Sequence, residues 1–311
     1  MTKENSSDTN TALKLDIVMV TYNSEKWIKN CFKSIFASDF DKKNISIYIV
    51  DNNSSDNTVQ KLEDTKNNYF GQYANFTIIK SPQNHGFGKG NNIAAKYGSG
   101  DYLFFLNIDT ELYENTLNEI QSEIQSSHID VAAWELRQYP HEHPKIYDTE
   151  TGYTTWCSAA AVVIKRSAFD EVRGFDEKLF MYAEDVDISW RLRARGYNLR
   201  YIPTAAVKHF SYEAGLDVVK PTQYVYSHIN NYNLRLKFGD FNCIMPFRKQ
   251  LKELATGTTA FEGASEMLTA AYRKNRFKTL HFFLWRFFNR RDYKKAVHKF
   301  VGVEYEDVRP Q

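Results

Sequence analysis

The sequence predicts an α/β protein: a mostly parallel sheet flanked by helices, followed by a helical and basic C-terminal region. Short apolar runs alternate with segments of helical periodicity over roughly the first 130 residues, as in α/β proteins with parallel sheets. Polar clusters follow several of these runs, where strands would end. The 311 residues are 42% hydrophobic and 15% aromatic, which excludes a wholly disordered chain.

The first elements form a β-α-β unit. Residues 1–12 are polar and are predicted to be a flexible tail. Residues 15–20 and 45–50 are almost entirely apolar, as is typical of buried parallel strands. Between them, Ser24 can cap a helix with apolar side chains at helical spacing. These are Trp27, Ile28, Cys31, Phe32, Ile35 and Phe36.

The alternation then continues toward the C-terminus. The sequence predicts a helix from Asp56 through 62, a strand at 76–79, a helix at 91–97, a strand at 102–106, a helix at 116–124 and a strand at 131–134. These are followed by a long strand at 153–164, a helix at 183–195, short strands at 199–202 and 206–209, and helices beyond Pro221. We place a boundary near residue 215, which separates domain 13–215 from a C-terminal region 216–311.

Charge distinguishes that C-terminal region. The formal net charge is +2, but residues 240–311 hold 14 Lys/Arg against 8 Asp/Glu. Residues 273–299 combine ten Lys/Arg with seven aromatic residues and one acid, Asp292. Such composition suits a helix on an anionic membrane surface; the alternative is helices that pack on the α/β domain with solvated basic faces. No RNA- or DNA-binding motif accompanies the charge, so we predict no nucleic-acid partner.

The sequence also bears on location. Its longest apolar stretches are far shorter than the roughly 20 residues that span a bilayer. The polar N-terminus lacks the apolar region of a signal peptide. Three widely spaced cysteines form no metal pair and suit a reducing compartment. We therefore predict a non-secreted protein without a membrane span.

Three polar clusters are predicted at one edge of the sheet. Residues 21–23 follow the first strand, residues 51–54 the second, and residues 107–109 the strand at 102–106. An acid after a strand is commonly a turn former or helix cap, but three such clusters favour a binding site. Asp51 can accept a hydrogen bond from a ribose hydroxyl or a pyrimidine N–H. Asp109 can ligate a hard divalent cation.

Two further segments carry possible chemistry. Residues 84–92, Asn-His-Gly-Phe-Gly-Lys-Gly-Asn-Asn, form a glycine loop that suits a phosphate or sugar, with a plain flexible turn as the alternative. The loop matches neither the dinucleotide fingerprint nor a P-loop. Glu184 and Asp185 begin a predicted helix, where acids stabilise the helix dipole. After the largely apolar residues 179–183, a shielded acid there can also act as a general base.

Together these motifs, in this order, resemble the family-two glycosyltransferases, which have the Rossmann-like GT-A fold. The resemblance covers residues 14–212 and is closest to the bacterial rhamnosyltransferase-like branch that builds cell-surface polysaccharides. It implies a nucleotide-sugar donor site. The donor-binding positions it implies are Thr21, Tyr22, Asn23, Asp51, Asn53, Gly86, Gly88, Asn91 and Asn107.

The resemblance also implies a metal and a base. Asp109 matches the second acid of an Asp-x-Asp motif that holds Mg²⁺ or Mn²⁺ on the donor diphosphate. Asn107 replaces the first acid and supplies no charge, and His209 matches an occasional further metal ligand, or is an ordinary strand-end histidine. Asp185 matches the catalytic base, and Glu184 orients it or contacts the acceptor.

The implied activity is an inverting hexosyl transfer. The preferred prediction is that L-rhamnose is transferred from dTDP-rhamnose to a lipid-linked or growing cell-surface polysaccharide. Donors of relatives include UDP-galactofuranose, UDP-glucose and UDP-N-acetylhexosamine, which remain alternatives. A sugar nucleotidyltransferase would need a glycine- and arginine-rich loop after the first strand, where this chain has Thr21-Tyr22-Asn23. A non-catalytic sugar-binding module is a further alternative. The implied location is cytoplasmic, peripheral on the inner face of the bacterial cell membrane.

Overall fold

A computed structural model of the chain describes residues 13–69, 71–142, 145–210 and 221–238. The predicted tail 1–12 and the basic segment 273–299 lie outside the described residues. None of the helices in the described ranges is both long enough and apolar enough to cross a bilayer.

Strands and helices alternate along the described chain. The strands are β1 Leu15–Thr21, β2 Ile45–Asp51, β3 Asn75–Lys80, β4 Tyr102–Leu106, β5 Thr110–Leu112, β6 Val131–Tyr139, β7 Tyr153–Thr154, β8 Ala161–Lys165 and β9 Asn198–His209. The α-helices are α1 Glu25–Ala37, α2 Thr58–Asn68, α3 Phe87–Ala95, α4 Thr116–Ser126, α5 Arg166–Glu171, α6 Glu184–Ala194 and α7 Pro221–Phe238.

The strands form one sheet in the order β3-β2-β1-β4-β8-β6-β9-β5, with β7 paired to β9. β1 runs parallel to β2 and β4, and β2 runs parallel to β3. β8 is antiparallel to β4 and β6. The predicted α/β class is confirmed, and the sheet is parallel in its first half and mixed beyond β4. The described residues between β6 and β8 include no crossover helix, so β8 can return antiparallel.

Both faces of the sheet are covered by helices. Successive side chains of β1 alternate between two buried clusters: Ile17 packs in the one that holds Phe32 of α1, and Val18 in the one that holds Ala94 of α3. A strand with two buried faces reads as a continuous apolar run, as residues 15–20 do. The buried sheet thereby fixes where the polar ends of β1, β2 and β4 lie.

The predicted long strand at 153–164 is wrong, because residues 155–160 leave the sheet. Their backbone amides bond to side chains instead of a neighbouring strand. The amide of Cys157 donates to Ser189 Oγ at 3.0 Å, and that of Ser158 donates to Glu135 Oε2 at 2.9 Å. The interruption exposes backbone groups to the site described below.

Three smaller differences concern element ends. The predicted short strands at 199–202 and 206–209 form one strand, β9, with an irregularity around Pro203, which lacks an N–H for the ladder. α3 begins at Phe87 rather than at residue 91, so the glycine loop forms its first turn. β5 was not predicted. α7 matches the predicted helix beyond Pro221, whereas the boundary near residue 215 lies outside the described residues.

Candidate active site

The ends of β1 and β2 are joined by a buried carboxylate. Thr21 pairs with Asp51 across the two strands, and Thr21 Oγ1 donates to Asp51 Oδ1 at 3.0 Å. Ser54 donates its hydroxyl to Asp51 Oδ1 at 2.5 Å and its amide to Asp51 Oδ2 at 2.9 Å. Asp51 is therefore held rigidly at the carboxyl edge of the sheet, where α/β proteins bind ligands.

Two asparagines shape the loops after these strands. Asn23 and Asn53 have positive φ angles of 48° and 65°, a conformation that asparagine tolerates better than most residues. Asn23 Oδ1 accepts from the amide of Ser55 at 2.8 Å, which ties the two loops together. Tyr22 is 51% exposed. The predicted base and ribose residues thus share one surface, with an aromatic ring available at its rim.

Asn52 connects this surface to the glycine loop, a role that the sequence analysis did not assign. Its buried side chain donates from Nδ2 to the carbonyl of Gly86 at 3.0 Å. Gly86 has φ 79° and ψ −175°, a region almost restricted to glycine. A Cβ at Gly86 would overlap the carbonyl oxygen of Phe180. The glycine loop is therefore a close-packed start of α3 rather than a flexible turn.

We expect Gly86→Ala to destabilise the fold by about 2 kcal/mol or more, because backbone strain of about 1–3 kcal/mol adds to the overlap. Gly71→Ala is the matched control, since Gly71 has φ 75° but no atom within 4 Å of an added Cβ. That control tests left-handed backbone strain alone, which costs about 1–2 kcal/mol. Urea unfolding of both variants measures the difference. Equal destabilisation would contradict the close packing at Gly86.

The end of β4 brings Asn107 and Asp109 toward β9. β5 pairs antiparallel with β9, which places Thr110 opposite His209. Asp109 Oδ1 and His209 Nε2 are 3.5 Å apart. His209 Nδ1 lies 2.7 Å from Gln138 Oε1, and its other ring nitrogen, Nε2, faces Asp109. A histidine oriented through one nitrogen in this way can offer the other to a metal.

The N-terminus of α6 carries the two predicted catalytic acids. Asp185 Oδ1 accepts from the amide of Val186 at 2.8 Å, and Asp185 Oδ2 accepts from the amide of Ala159 at 3.4 Å. Ala159 belongs to the segment that leaves the sheet between β7 and β8. The interrupted strand therefore supplies a donor to the acid, and the helix dipole also favours negative charge at this position.

Glu184 differs from its neighbour. Its side chain is 6% exposed, and Oε2 has no hydrogen-bond partner among the described residues. Burial, and then the charge of Asp185, raise the pKa of Glu184 well above 4.5. Glu184 and Asp185 are thus adjacent acids in different environments, an arrangement that can separate the role of acid from that of base.

Stability should report that raised pKa. The folded state retains a proton that the unfolded chain releases, so the wild type loses stability as pH rises from about 4.5 through the raised pKa of Glu184. Glu184→Gln removes this loss. We expect the Tm of Glu184→Gln relative to the wild type to increase between about pH 5 and pH 8. Glu150→Gln, at an exposed position, is the control; a pH-independent Tm difference for Glu184→Gln would contradict the assignment.

One cavity of about 290 Å³ joins these groups. Asn107, Asp109, His209, Glu184 and Asp185 all line it. Phe87, which follows Gly86, also lines it, so the cavity adjoins the glycine loop and, through Asn52, the surface beside Asp51. Asn91 is buried in α3 and donates to the carbonyl of Phe87 at 3.1 Å, while Gly88 packs against Phe175.

Much of the remaining wall of the cavity has residues that no motif marked. They are Gln138, His141, Glu142, Ala159, Ala160 and Gln223. Ser158 also lines the wall, as do Met181 and Tyr182 of the apolar segment before the acids. Behind Ser158, Glu135 forms a buried ion pair with Lys145, and burial lowers the pKa of Lys145 to about 8. Tyr201 donates its hydroxyl to Glu142 at 3.0 Å. These residues come from distant parts of the chain, so only the folded structure brings them together.

The cavity suits a divalent cation only if a bound ligand supplies part of its coordination. Within the described ranges, no three His, Cys, Asp or Glu side chains are grouped to hold a metal ion. Asp109 and His209 offer one oxygen and one nitrogen 3.5 Å apart. Mg²⁺ is commonly held by one or two carboxylates together with substrate phosphates. The donor set thus fits an ion that shares its coordination with a bound diphosphate.

The α/β sheet, with a buried carboxylate at its carboxyl edge and a cavity lined by Asp109, Glu184 and Asp185, agrees with a glycosyltransferase of the GT-A fold. The chain belongs to glycosyl transferase family 2, whose sequence profile matches residues 16–187. The family and fold predicted from the motifs are thereby confirmed.

Individual relatives match this chain at low sequence identity or over a short segment. Rhamnosyltransferase WbbL of Escherichia coli is 25% identical over 231 residues, which cover 63% of this chain and 83% of WbbL. The N-acetylglucosaminyl-diphospho-decaprenol L-rhamnosyltransferase of Mycobacterium tuberculosis is 48% identical over 54 residues, 17% of this chain and 18% of that protein. The second match therefore spans less than a fifth of its relative.

Solved structures share the fold. S. aureus TarS 1–349 in complex with UDP has a TM-score of 0.53 at 18% identity and covers 86% of this chain and 72% of that one. The mannosyltransferase PcManGT of Pyrobaculum calidifontis, in complex with GDP-Man and Mn²⁺, has a TM-score of 0.59 at 14% identity. That match covers 96% of this chain and 86% of PcManGT.

Proposed function

We propose that this glycosyltransferase inverts the anomeric centre of a sugar that it takes from a nucleoside diphosphate. The observation that carries the proposal is the shared cavity, in which Asp109 and Asp185 both face the same space. One acid is available near a leaving diphosphate and the other near an attacking hydroxyl. A single displacement between them requires no covalent intermediate with the protein.

The nucleoside is bound in this proposal by Asp51, Thr21, Tyr22, Asn23 and Asn53. Asp51 accepts a hydrogen bond from the base or ribose, with its position fixed by Thr21 and Ser54. Asn107 and the glycine loop, with Gly86, Gly88 and Asn91, lie beside the diphosphate and sugar. The N–H groups at the start of α3 favour negative charge there.

Asp185 acts as the base. It takes the proton of an acceptor hydroxyl as that oxygen bonds to the anomeric carbon, and the bond from this carbon to the diphosphate oxygen breaks. The bonding electrons leave with the nucleoside diphosphate. Glu184, whose pKa is raised by burial, contacts the acceptor or orients Asp185. Asp109 and His209 would hold Mg²⁺ or Mn²⁺, which when bound supplies positive charge to the departing diphosphate.

The proposed donor is dTDP-L-rhamnose, and the acceptor is a lipid-linked or growing saccharide of the cell surface. Two relatives support this choice, since the names of both describe rhamnosyltransferases and one names a decaprenol-linked acceptor. UDP-galactofuranose, UDP-glucose and UDP-N-acetylhexosamine are the alternatives. The proposed location is the cytoplasmic face of the cell membrane, where the basic segment 273–299 would contact anionic lipid.

A ligand panel tests the donor. Thermal shift is measured with dTDP-, UDP- and GDP-sugars, each with and without Mn²⁺, and the stabilising sugars are then assayed for transfer. A ligand present at about 100 times its Kd stabilises the folded state by about 2.7 kcal/mol. We expect the largest Mn²⁺-dependent shift with dTDP-rhamnose. A larger shift with a UDP-sugar would show that this sugar, and not dTDP-rhamnose, is the donor. The absence of a shift with any nucleotide sugar would contradict the proposed function.

A further inference from the structure

Helix α7 contacts the segment that leads into the catalytic acids. Asn230 of α7 is 3% exposed. Its Nδ2 donates to the carbonyl oxygen of Met181 at 2.8 Å and to that of Tyr182 at 3.0 Å. One side-chain amide therefore uses both of its hydrogens on two consecutive peptide groups. Both peptide groups lie within three residues of Glu184.

Those peptide groups belong to a strained turn. Tyr182 and Ala183 have positive φ angles of 67° and 69°, although neither is glycine. Each such residue costs on the order of 1–3 kcal/mol and persists only where its surroundings hold it. Phe180 is held from the other side, because its carbonyl accepts from the amide of Phe87 at 2.9 Å. Asn230 holds the strained half of the turn.

A second contact of α7 lies beyond the acids. Lys237 Nζ is 2.5 Å from Asp187 Oδ1 and 2.7 Å from Asp176 Oδ2. Asp187 is completely buried in α6, where an unpaired charge would be costly. Leu234 and Phe238 of α7 pack in the same buried cluster as Trp190 of α6. α7 is thus attached both before and after Glu184 and Asp185.

We propose that Asn230 is a positioning residue for the catalytic carboxylates. It acts through residues 182–183, whose left-handed turn sets the direction in which α6 begins and hence where Asp185 faces the cavity. Asn230 itself does not line that cavity. This inference rests on the proposed role of Asp185 as the base.

Asn230→Asp tests the inference, because a carboxylate has the shape of the amide but cannot donate to the two carbonyls. A displacement of about 1 Å at a reacting group can cost about 10²-fold in rate. We therefore expect kcat to fall by about 10- to 100-fold, with the KM for the nucleotide sugar changed by less than about twofold. Asn230→Ala, which adds no charge, should give the same division between kcat and KM.

Hydrogen exchange gives a second readout that needs no turnover. In Asn230→Asp and Asn230→Ala, amides of residues 183–187 should exchange faster than in the wild type. His228→Ala is the matched control, since His228 Nδ1 contacts the carbonyl of Tyr224 within α7 itself; it should match the wild type in both measurements. The inference would be overturned by unchanged exchange at 183–187, or by a loss of activity that comes from a raised KM and not from a lowered kcat. If the wild type transfers no sugar, the proposed function fails, and exchange still decides what Asn230 holds.

Discussion

Asp185→Asn should lower kcat by about 10²–10⁴-fold, the range that general-base catalysis contributes. An asparagine keeps the size of the side chain but has one acceptor oxygen, so it retains a bond from the amide of Val186 or of Ala159 and loses the other. It cannot take the proton of an acceptor hydroxyl. We therefore expect the KM for the nucleotide sugar to remain near the wild-type value while turnover falls.

The measurement is a steady-state transfer assay, combined with direct titration of the nucleoside diphosphate. Asp170→Asn is the matched control, because Asp170 is an exposed acid of α5 away from the cavity. The control should retain wild-type turnover. Near-wild-type kcat in Asp185→Asn would remove Asp185 as the base and leave the cavity without an assigned proton acceptor.

Asp109→Ala should lower kcat/KM by about 10²-fold or more. In the proposed function Asp109 is the only carboxylate that holds the cation, because Asn107 carries no charge. A bound cation contributes several kcal/mol of charge stabilisation to a leaving phosphate, and each 1.36 kcal/mol is tenfold in rate. We also expect half-maximal activity to require a higher Mn²⁺ concentration, with His209 as the remaining protein ligand.

Activity is measured across a Mn²⁺ titration for the variant and for Asp101→Ala. Asp101 is exposed and precedes β4, whereas Asp109 follows β4, so the two changes test opposite ends of one strand. Asp101→Ala should behave as the wild type. An Asp109→Ala enzyme with unchanged Mn²⁺ dependence would show that the cation, if one is used, is held elsewhere.

Much of the site follows from strand ends. Residues 15–20 and 45–50 are apolar because both faces of their strands are buried, and this burial marks where the chain becomes polar. Thr21 and Asp51 then meet because neighbouring parallel strands end at the same edge. The positions of Asp51 and Asp109 could thus be predicted from strand ends, whereas that of Asp185 followed from the start of the predicted helix at 183–195.

Other parts of the site depend on pairings that no local pattern encodes. His209 reaches Asp109 only because the three-residue strand β5 pairs with the end of β9. Residues 153–164 are as apolar as a long strand, yet Glu135 and Ser189 bind the backbone amides that a strand would use. Asn230 lies 48 residues from Tyr182, whose carbonyl it binds. In each case the contact joins residues that are far apart in the sequence.

In the proposed function, the diphosphate of one nucleoside diphosphate lies in the cavity between Asp109 and Asp185. A crystal structure of the protein with dTDP and Mn²⁺ tests it most directly. We expect a base beside Asp51, a Mn²⁺ ion bound by Asp109 and by diphosphate oxygens, and Asp185 across the cavity from that diphosphate. A nucleotide bound at another surface, or a diphosphate in this cavity whose metal contacts neither Asp109 nor His209, would contradict it.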